Sequence, residues 1–166
     1  QRLIKEGNDD IYGLKQSPDG KVFIAWTRTG EHDGFPVINV YDQASIRRQN
    51  TIAVSDEQIE AVEFSAQSNM LLVISSNKQS GEIASTLTVW DFIDGHREIF
   101  CKSMVPLRVK AAAWNPFIKD NADEFVSISD RVYHYWRISK HLELQYPEGE
   151  LPQVDEGFDG PGDKFN

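Results

Sequence analysis

Hydrophobic and polar residues alternate over short stretches of this chain, and clusters of turn-forming residues separate these stretches. The segment Ile11–Gln16 alternates, while Val22–Trp26 is a dense apolar run typical of a strand covered on both faces. Between them, Ser17–Gly20 combines Pro, Asp and Gly as tight turns do. Two windows, 55–66 and 107–114, are the only candidates for helix, and the β-branched residues and repeat register of the first favour strand. The pattern therefore predicts an all-β protein.

The strand pattern repeats about every 48 residues. The first strands of successive units end at Ser17, Ser65 and Asn115 in matching contexts. The third strands end on matching pairs of residues, namely Tyr41-Asp42, Trp90-Asp91 and Trp136-Arg137. Repeated units of four short strands are the signature of β-propeller blades, so this repeat predicts a β-propeller segment.

The repeat predicts three four-stranded antiparallel blades that form an incomplete ring. The predicted boundaries are a propeller segment over 1–146, with blades at 11–54, 59–101 and 109–146, an outer strand of an opening blade at 2–6, and an acidic Gly/Pro-rich linker or tail at 147–166. Long polar connections, Thr29–Gly34 and Asn77–Ala84, are predicted between the second and third strands of the first two blades. Propellers typically close with four to eight blades, so three blades predict open flanks. We therefore expect the chain either to self-associate through these flanks or to depend on further blades of a longer protein.

The aromatic-Asp endings and the Ser17–Gly20 turn resemble WD40 repeats over about residues 2–146. This resemblance implies that Trp90 and Trp136 pack between blades and that Tyr41 takes the same part in the first blade. It also implies that Asp42 and Asp91 are repeat positions, whereas Arg137 replaces the aspartate in the third blade. The Gly-His dipeptide of the family is missing ahead of each first strand.

Two phrases of the sequence are also similar to degenerate blades in large WD-repeat proteins of cilia and flagella. They are the Ser-Pro-Asp-Gly turn followed by Pro36–Asp42, and the closing stretch Val132–Arg137. That similarity implies a cytoskeletal or axonemal scaffold within a longer chain.

Charge and cysteine content narrow the classes of partner. The net charge is −9, of which −6 falls after His141, where seven acids face Lys164 alone, leaving −3 for the rest. A mildly negative body with no basic stripe disfavours nucleic acid and anionic membranes as partners. The single cysteine, Cys101, excludes an internal disulfide and favours a reducing, cytoplasmic setting. The longest apolar run, Met70–Ile74, is far shorter than the roughly 20 residues that span a bilayer.

The sequence offers little for catalysis, so no enzymatic activity, cofactor or metal is expected. The four histidines, His32, His96, His134 and His141, form no ligand pair at metal spacing. His32 lies among acids in a polar stretch, where a solvated loop is favoured over a weak metal site. Cys101 is predicted to be a buried or edge thiol, and His134 a core or interblade histidine.

The residues predicted to contact a partner lie in the long connections, because propeller loops gather at the ends of the disc. They are Arg28, His32 and Phe35 in the first blade and Lys78, Gln79 and Glu82 in the second. The sequence thus predicts a non-catalytic scaffold that binds other proteins and is part of a larger WD-repeat protein. The alternatives are a reader of modified peptides, which needs an aromatic cage or Arg cluster, and a propeller hydrolase, which needs clustered acids or a metal near the channel.

Overall fold

A computed structural model describes residues 11–28, 34–79, 82–92, 98–117, 123–129, 132–138, 144–145 and 148–150. Within these residues the chain forms three antiparallel sheets, each of which is one blade. Blade 1 contains β1 (Ile11–Gln16), β2 (Val22–Thr27), β3 (Val37–Asp42) and β4 (Arg48–Ala53). Blade 2 contains β5 (Gln58–Phe64), β6 (Met70–Gln79), β7 (Glu82–Asp91) and β8 (Glu98–Val105). Blade 3 contains β9 (Ala111–Trp114), β10 (Asp123–Ile128), β11 (Val132–Ile138), β12 (Leu144–Gln145) and β13 (Glu148–Glu150).

The strands of each blade follow one another in chain order across the sheet, and β13 adds a second short partner for β11. The prediction of an all-β fold with three unclosed antiparallel blades is confirmed. Both windows that could have been helical, 55–66 and 107–114, contain strands, β5 and β9. No helix long and apolar enough to cross a bilayer occurs in the ranges given above.

Several strand ends differ from the sequence prediction. Strand β8 continues to Val105, beyond the predicted limit of the second blade at residue 101. Strand β13 pairs with Val132–His134, so ladder pairing in blade 3 extends into the range 147–166 that was predicted to be a tail. Residues 2–6 and 151–166 lie outside the described residues, and what was predicted for them stays a prediction.

The predicted polar connection Asn77–Ala84 is wrong, because these residues extend the central hairpin of blade 2. Strands β6 and β7 are ten residues each and remain paired as far as Gln79 opposite Glu82. Their polar side chains suggested a loop, but a hairpin ladder is held by backbone hydrogen bonds that set no requirement for apolar side chains. Lys78, Gln79 and Glu82 therefore lie on strands.

The sequence repeat is reproduced in strand register. Tyr41 is paired with Phe23, Trp90 with Leu71 and Trp136 with Phe125, so the three aromatic residues hold equivalent positions on the third strands. The face of each blade that carries this position is called here the backward face, because Trp90 packs toward blade 1 and Trp136 toward blade 2. The opposite face is called the onward face.

Two apolar clusters join the blades. On β6, Leu71 and Val73 pack with the onward face of blade 1, whereas Leu72 and Ile74 pack with the backward face of blade 3. Successive residues of a strand point to opposite faces, so this one apolar run serves both clusters. Blade 2 is consequently covered on both sides.

The onward face of blade 3 is more open than the equivalent faces of the other blades. Val126, Ile128, Tyr133 and Tyr135 occupy the register positions that Leu72, Ile74, Leu87 and Val89 hold in blade 2. These four residues of blade 2 are 0% exposed, whereas Ile128 is 40% exposed and the other three of blade 3 are half-buried. Blade 3 thus presents a stacking face of the same pattern without a sheet against it in the described part of the chain.

Candidate functional site

One end of the three sheets gathers the connections β2–β3, β4–β5, β6–β7 and β8–β9, and we call it the recess end. A cavity of about 260 Å³ opens there. Its walls come from all three blades: Arg28, Glu57, Gln58, Glu60, Ser76, Asn77, Ile83 and Arg108. We call this cavity the recess.

A buried carboxylate forms the centre of the recess. The side chain of Glu60, on β5, is 8% exposed and accepts a 2.9 Å hydrogen bond from Ser76 Oγ. The Nη2 atom of Arg108 lies 3.2 Å from Glu60 Oε1, and the Nη2 atom of Arg28 lies 3.7 Å from Oε2. Because Arg28 follows β2 and Arg108 precedes β9, Glu60 ties blades 1 and 3 to blade 2 at this end.

A second carboxylate fixes the wall of the recess. Asp56 is 6% exposed and accepts hydrogen bonds from Ser75 Oγ and, at 2.8 Å, from Asn77 Nδ2. Asn77 Oδ1 accepts a 2.8 Å hydrogen bond from the backbone N–H of Glu57. A buried charge is tolerated when hydrogen bonds satisfy it, so this network anchors the β4–β5 connection to β6.

The predicted contact residues fall in different surroundings. Arg28 lines the recess, with its guanidinium 5.1 Å from the centre of the Tyr12 ring. Phe35 is 60% exposed and lies at the same end, between β2 and β3. His32 and the side chains of Lys78, Gln79 and Glu82 lie outside what the structure describes, so their predicted contact role stays a prediction.

Glu60 and Arg108 were not among the residues predicted from the sequence. Each is an isolated charged residue beside apolar neighbours, which alone is not distinctive. Both, however, lie at or just before the first strands of consecutive blades, and the repeat alignment could have shown that they meet at one end of adjacent sheets.

The aromatic and acidic residues at the repeat positions make different contacts in the three blades. Tyr41 is 2% exposed and stacks on Phe23 with ring centres 4.8 Å apart. Asp42 Oδ1 accepts a 2.5 Å hydrogen bond from the hydroxyl of Ser45 and a 2.7 Å hydrogen bond from the backbone N–H of Ser45. These hydrogen bonds hold the pKa of the Asp42 carboxyl below its ordinary value. Asp42 thereby closes the turn between β3 and β4.

In the third blade, Trp136 is 1% exposed and donates a 2.8 Å hydrogen bond from Nε1 to Ser127 Oγ. The ring of His134, 3% exposed, lies 5.8 Å from that of Trp136, as expected for a core histidine. Trp90 is half-buried and packs against the cluster between blades 1 and 2, while Asp91 pairs with Met70 and Glu98 in the ladder.

Arg137 stands where the first two blades have Asp42 and Asp91, and it pairs with an acid on the neighbouring strand. Arg137 is paired with Glu124 in the ladder, and its Nε donates a 2.9 Å hydrogen bond to Glu124 Oε1. Tyr135 and, at 3.0 Å, Asn115 also hydrogen-bond to Glu124. The hydrogen bond from Tyr135 is the main cause that lowers the pKa of the Glu124 carboxyl, followed by that from Asn115.

We expect Glu124→Gln to lower the melting temperature at neutral pH. The folded-state pKa of Glu124 lies below its ordinary value of 4.5, so the stability it adds is fully present above pH 4.5 and is lost as pH falls through the folded-state pKa. The difference in melting temperature between wild type and variant should therefore shrink in acid, as measured by circular dichroism at pH 7 and pH 3. A difference in melting temperature that persists in acid would contradict the expectation.

Cys101 behaves as a packed thiol. Its side chain lies in the cluster between blades 2 and 3, and burial raises the pKa of the thiol to about 11. The thiol therefore stays protonated near neutral pH and is a weak nucleophile. Among the described residues, no group of three or more His, Cys, Asp or Glu side chains is placed to hold a metal ion.

Stacked antiparallel sheets of four or five strands, with an apolar cluster between each pair, define the class of this chain, which is a β-propeller segment. No protein-family model matches the chain, and no curated protein matches it.

Solved structures share the fold. The chain is similar to the β-propeller domain of Cps50 (Swd1) from Myceliophteria thermophila, with a TM-score of 0.63 and 14% identity over 98% of this chain and 42% of that one. It is also similar to a putative 6-phosphogluconolactonase from Bacteroides fragilis, with a TM-score of 0.63 and 12% identity over 84% of this chain and 38% of that one. The chain therefore spans less than half the length of either protein, and at these identities the likeness concerns the fold alone.

Proposed function

We propose that this chain is a non-catalytic scaffold segment that binds other proteins at the recess end. The observation that carries the proposal is the convergence of three blades on the recess, where Arg28 and Arg108 are held in place by Glu60. The side chains of these arginines remain 41% and 37% exposed, so they are positioned yet accessible. Partly exposed, preorganised Arg side chains are favoured contacts in protein interfaces.

The arrangement of charge supports binding over catalysis. The carboxylates of Asp56 and Glu60 accept hydrogen bonds from Ser75, Asn77 and Ser76 or pair with arginines of neighbouring blades. Their interactions hold the connections together. A propeller hydrolase would instead direct such acids toward a bound water or metal.

The proposal includes the cytoplasmic location and the axonemal or cytoskeletal role that the sequence resemblance implies, as part of a larger WD-repeat protein. It also includes self-association through the open onward face of blade 3, which sedimentation velocity of wild type and Ile128→Glu would test. The exposure of Ile128, at a position that is buried in blade 2, supports this second contact surface.

Site-specific photo-crosslinking tests the main proposal. A photoreactive side chain at Phe35, at the recess end, should crosslink a defined set of proteins in cells. The matched control is the same group at Ala44, an exposed residue in the β3–β4 turn at the opposite end. Equal crosslinking from both positions, or none from Phe35, would reject the recess end as the binding surface.

A further inference from the structure

The central hairpin of blade 2 projects beyond its own sheet. Toward the tip of the hairpin, the outermost β6 residue that pairs with β5 is Ser76, and the outermost β7 residue that pairs with β8 is Ser85. Three more pairs follow in the hairpin and form a two-stranded ribbon, Asn77–Gln79 with Glu82–Ala84. In blade 1 the strands β1 and β4 run alongside the whole hairpin, and in blade 3 β9 stays paired to the end of β10.

The ribbon has two edges that no third strand covers in the described part of the chain. Such edges carry backbone N–H and C=O groups that are not used by a neighbouring strand and can pair with an added one. Extended peptides bind many domains in this way, and pockets for alternate side chains then give specificity. The ribbon therefore offers a short template for one more strand.

The recess lies at the base of the ribbon, because Asn77 and Ile83 belong to both. The hydrogen bonds of Asn77 to Asp56 and Glu57 fix the ribbon in relation to the recess. Sites for small molecules usually enclose about 300–1,000 Å³. A cavity of about 260 Å³ suits a single side chain better than a whole small molecule.

Arg28 and Arg108 together have more N–H donors than the carboxylate of Glu60 can accept from. A guanidinium offers five N–H donors, and the side chains of Arg28 and Arg108 are 41% and 37% exposed although their Nε atoms are buried, so the exposed parts of the two side chains can meet a ligand. Glu60 supplies only one carboxylate to the two cations. Glu57 also lines the recess, so the two arginines and the two glutamates, Glu57 and Glu60, balance in charge. Selection for an acid would come from charge-assisted hydrogen bonds with the exposed guanidinium groups.

We propose that an extended peptide segment of a partner protein pairs with an edge of the ribbon and places an acidic side chain between Arg28 and Arg108. The inference rests on the proposed function, since it names the chemistry of the partner that the recess end binds. The two observations are independent: the ribbon selects an extended backbone, and the arginines select a carboxylate.

Labelled peptides test the inference by fluorescence anisotropy with the full chain. The probes are a six-residue peptide of alternating valine and threonine with one central glutamate, and the same peptide with glutamine. The glutamate peptide should bind about tenfold more tightly, because the amide cannot form charge-assisted hydrogen bonds with the arginines. Arg108→Gln should remove this preference, whereas Arg47→Gln, the loss of an exposed arginine elsewhere on blade 1, should leave it unchanged.

N-methylation of alternate amides in the glutamate peptide tests the strand pairing. Methylation should weaken binding, and the unmethylated peptide should slow hydrogen exchange of the alternate, outward-facing amides on one edge of the ribbon, either Asn77–Gln79 or Glu82–Ala84. Equal binding of the glutamate and glutamine peptides, or no effect of methylation, would overturn the inference. If Phe35 crosslinks partners while the two peptides bind equally, the proposed function stands and only this inference falls.

Discussion

Trp136→Ala is expected to lower the free energy of unfolding by about 4 kcal/mol, within the range of 3–5 kcal/mol typical for removal of a buried Trp or Phe. Trp136 is 1% exposed and packs in the cluster between blades 2 and 3, with its ring 5.8 Å from that of Phe125. Its loss leaves a cavity that rigid neighbouring strands fill poorly. The measurement is the denaturant midpoint, with an unchanged slope showing that the two-state transition is kept.

Two further variants separate packing from hydrogen bonding at this position. Trp136→Phe keeps an aromatic ring but loses the hydrogen bond to Ser127, so it should cost less than the alanine variant. Ser127→Ala leaves the indole N–H buried without its acceptor and should cost about 1–3 kcal/mol. A loss below about 1 kcal/mol for Trp136→Ala would show that blades 2 and 3 are not joined by this cluster.

Ile74→Ala is expected to lower the free energy of unfolding by about 3 kcal/mol, as for other fully buried Ile side chains. Ile74 is 0% exposed and lies on the onward face of blade 2, under blade 3. The measurement is again the denaturant midpoint, which should fall without a change in slope.

Ile128→Ala is the matched control, because Ile128 has the same register position on blade 3 and loses the same atoms. Ile128 is 40% exposed in the single chain, so the change should cost less than about 1 kcal/mol when stability is measured at protein concentrations where the chain is monomeric. Equal losses for Ile74 and Ile128 would mean that the onward face of blade 3 is covered as completely as that of blade 2.

The fold could be predicted from the sequence because the same strand pattern occurs three times. A single short apolar run is ambiguous between strand and buried helix, but the same order at Ser17, Ser65 and Asn115 fixes its meaning. The extent of the central hairpin could not be predicted, since the polar residues around Gln79 and Glu82 are compatible with a loop or with a solvent-exposed ladder. In the structure these residues are paired in the hairpin ladder, so they form strands.

The candidate site was less predictable than the fold. Arg28 was selected as a residue near a connection, and in the structure it lines the recess, while its role in binding stays a prediction. Its pairing with Glu60, and the approach of Arg108 from 48 residues further along the chain, depend on how adjacent blades stack. A single sequence reveals the spacing of such residues but not the distances between their side chains.

The double role of β6 affects how the molecule unfolds. Arrays of repeats are often described by the intrinsic stability of each unit and the coupling between neighbours. Here Leu71 and Leu72 are adjacent residues that belong to opposite clusters, so melting of this one strand removes the support of both outer blades at once. The three blades should therefore lose structure in a single cooperative transition, without a stable intermediate in which blade 2 alone is unfolded.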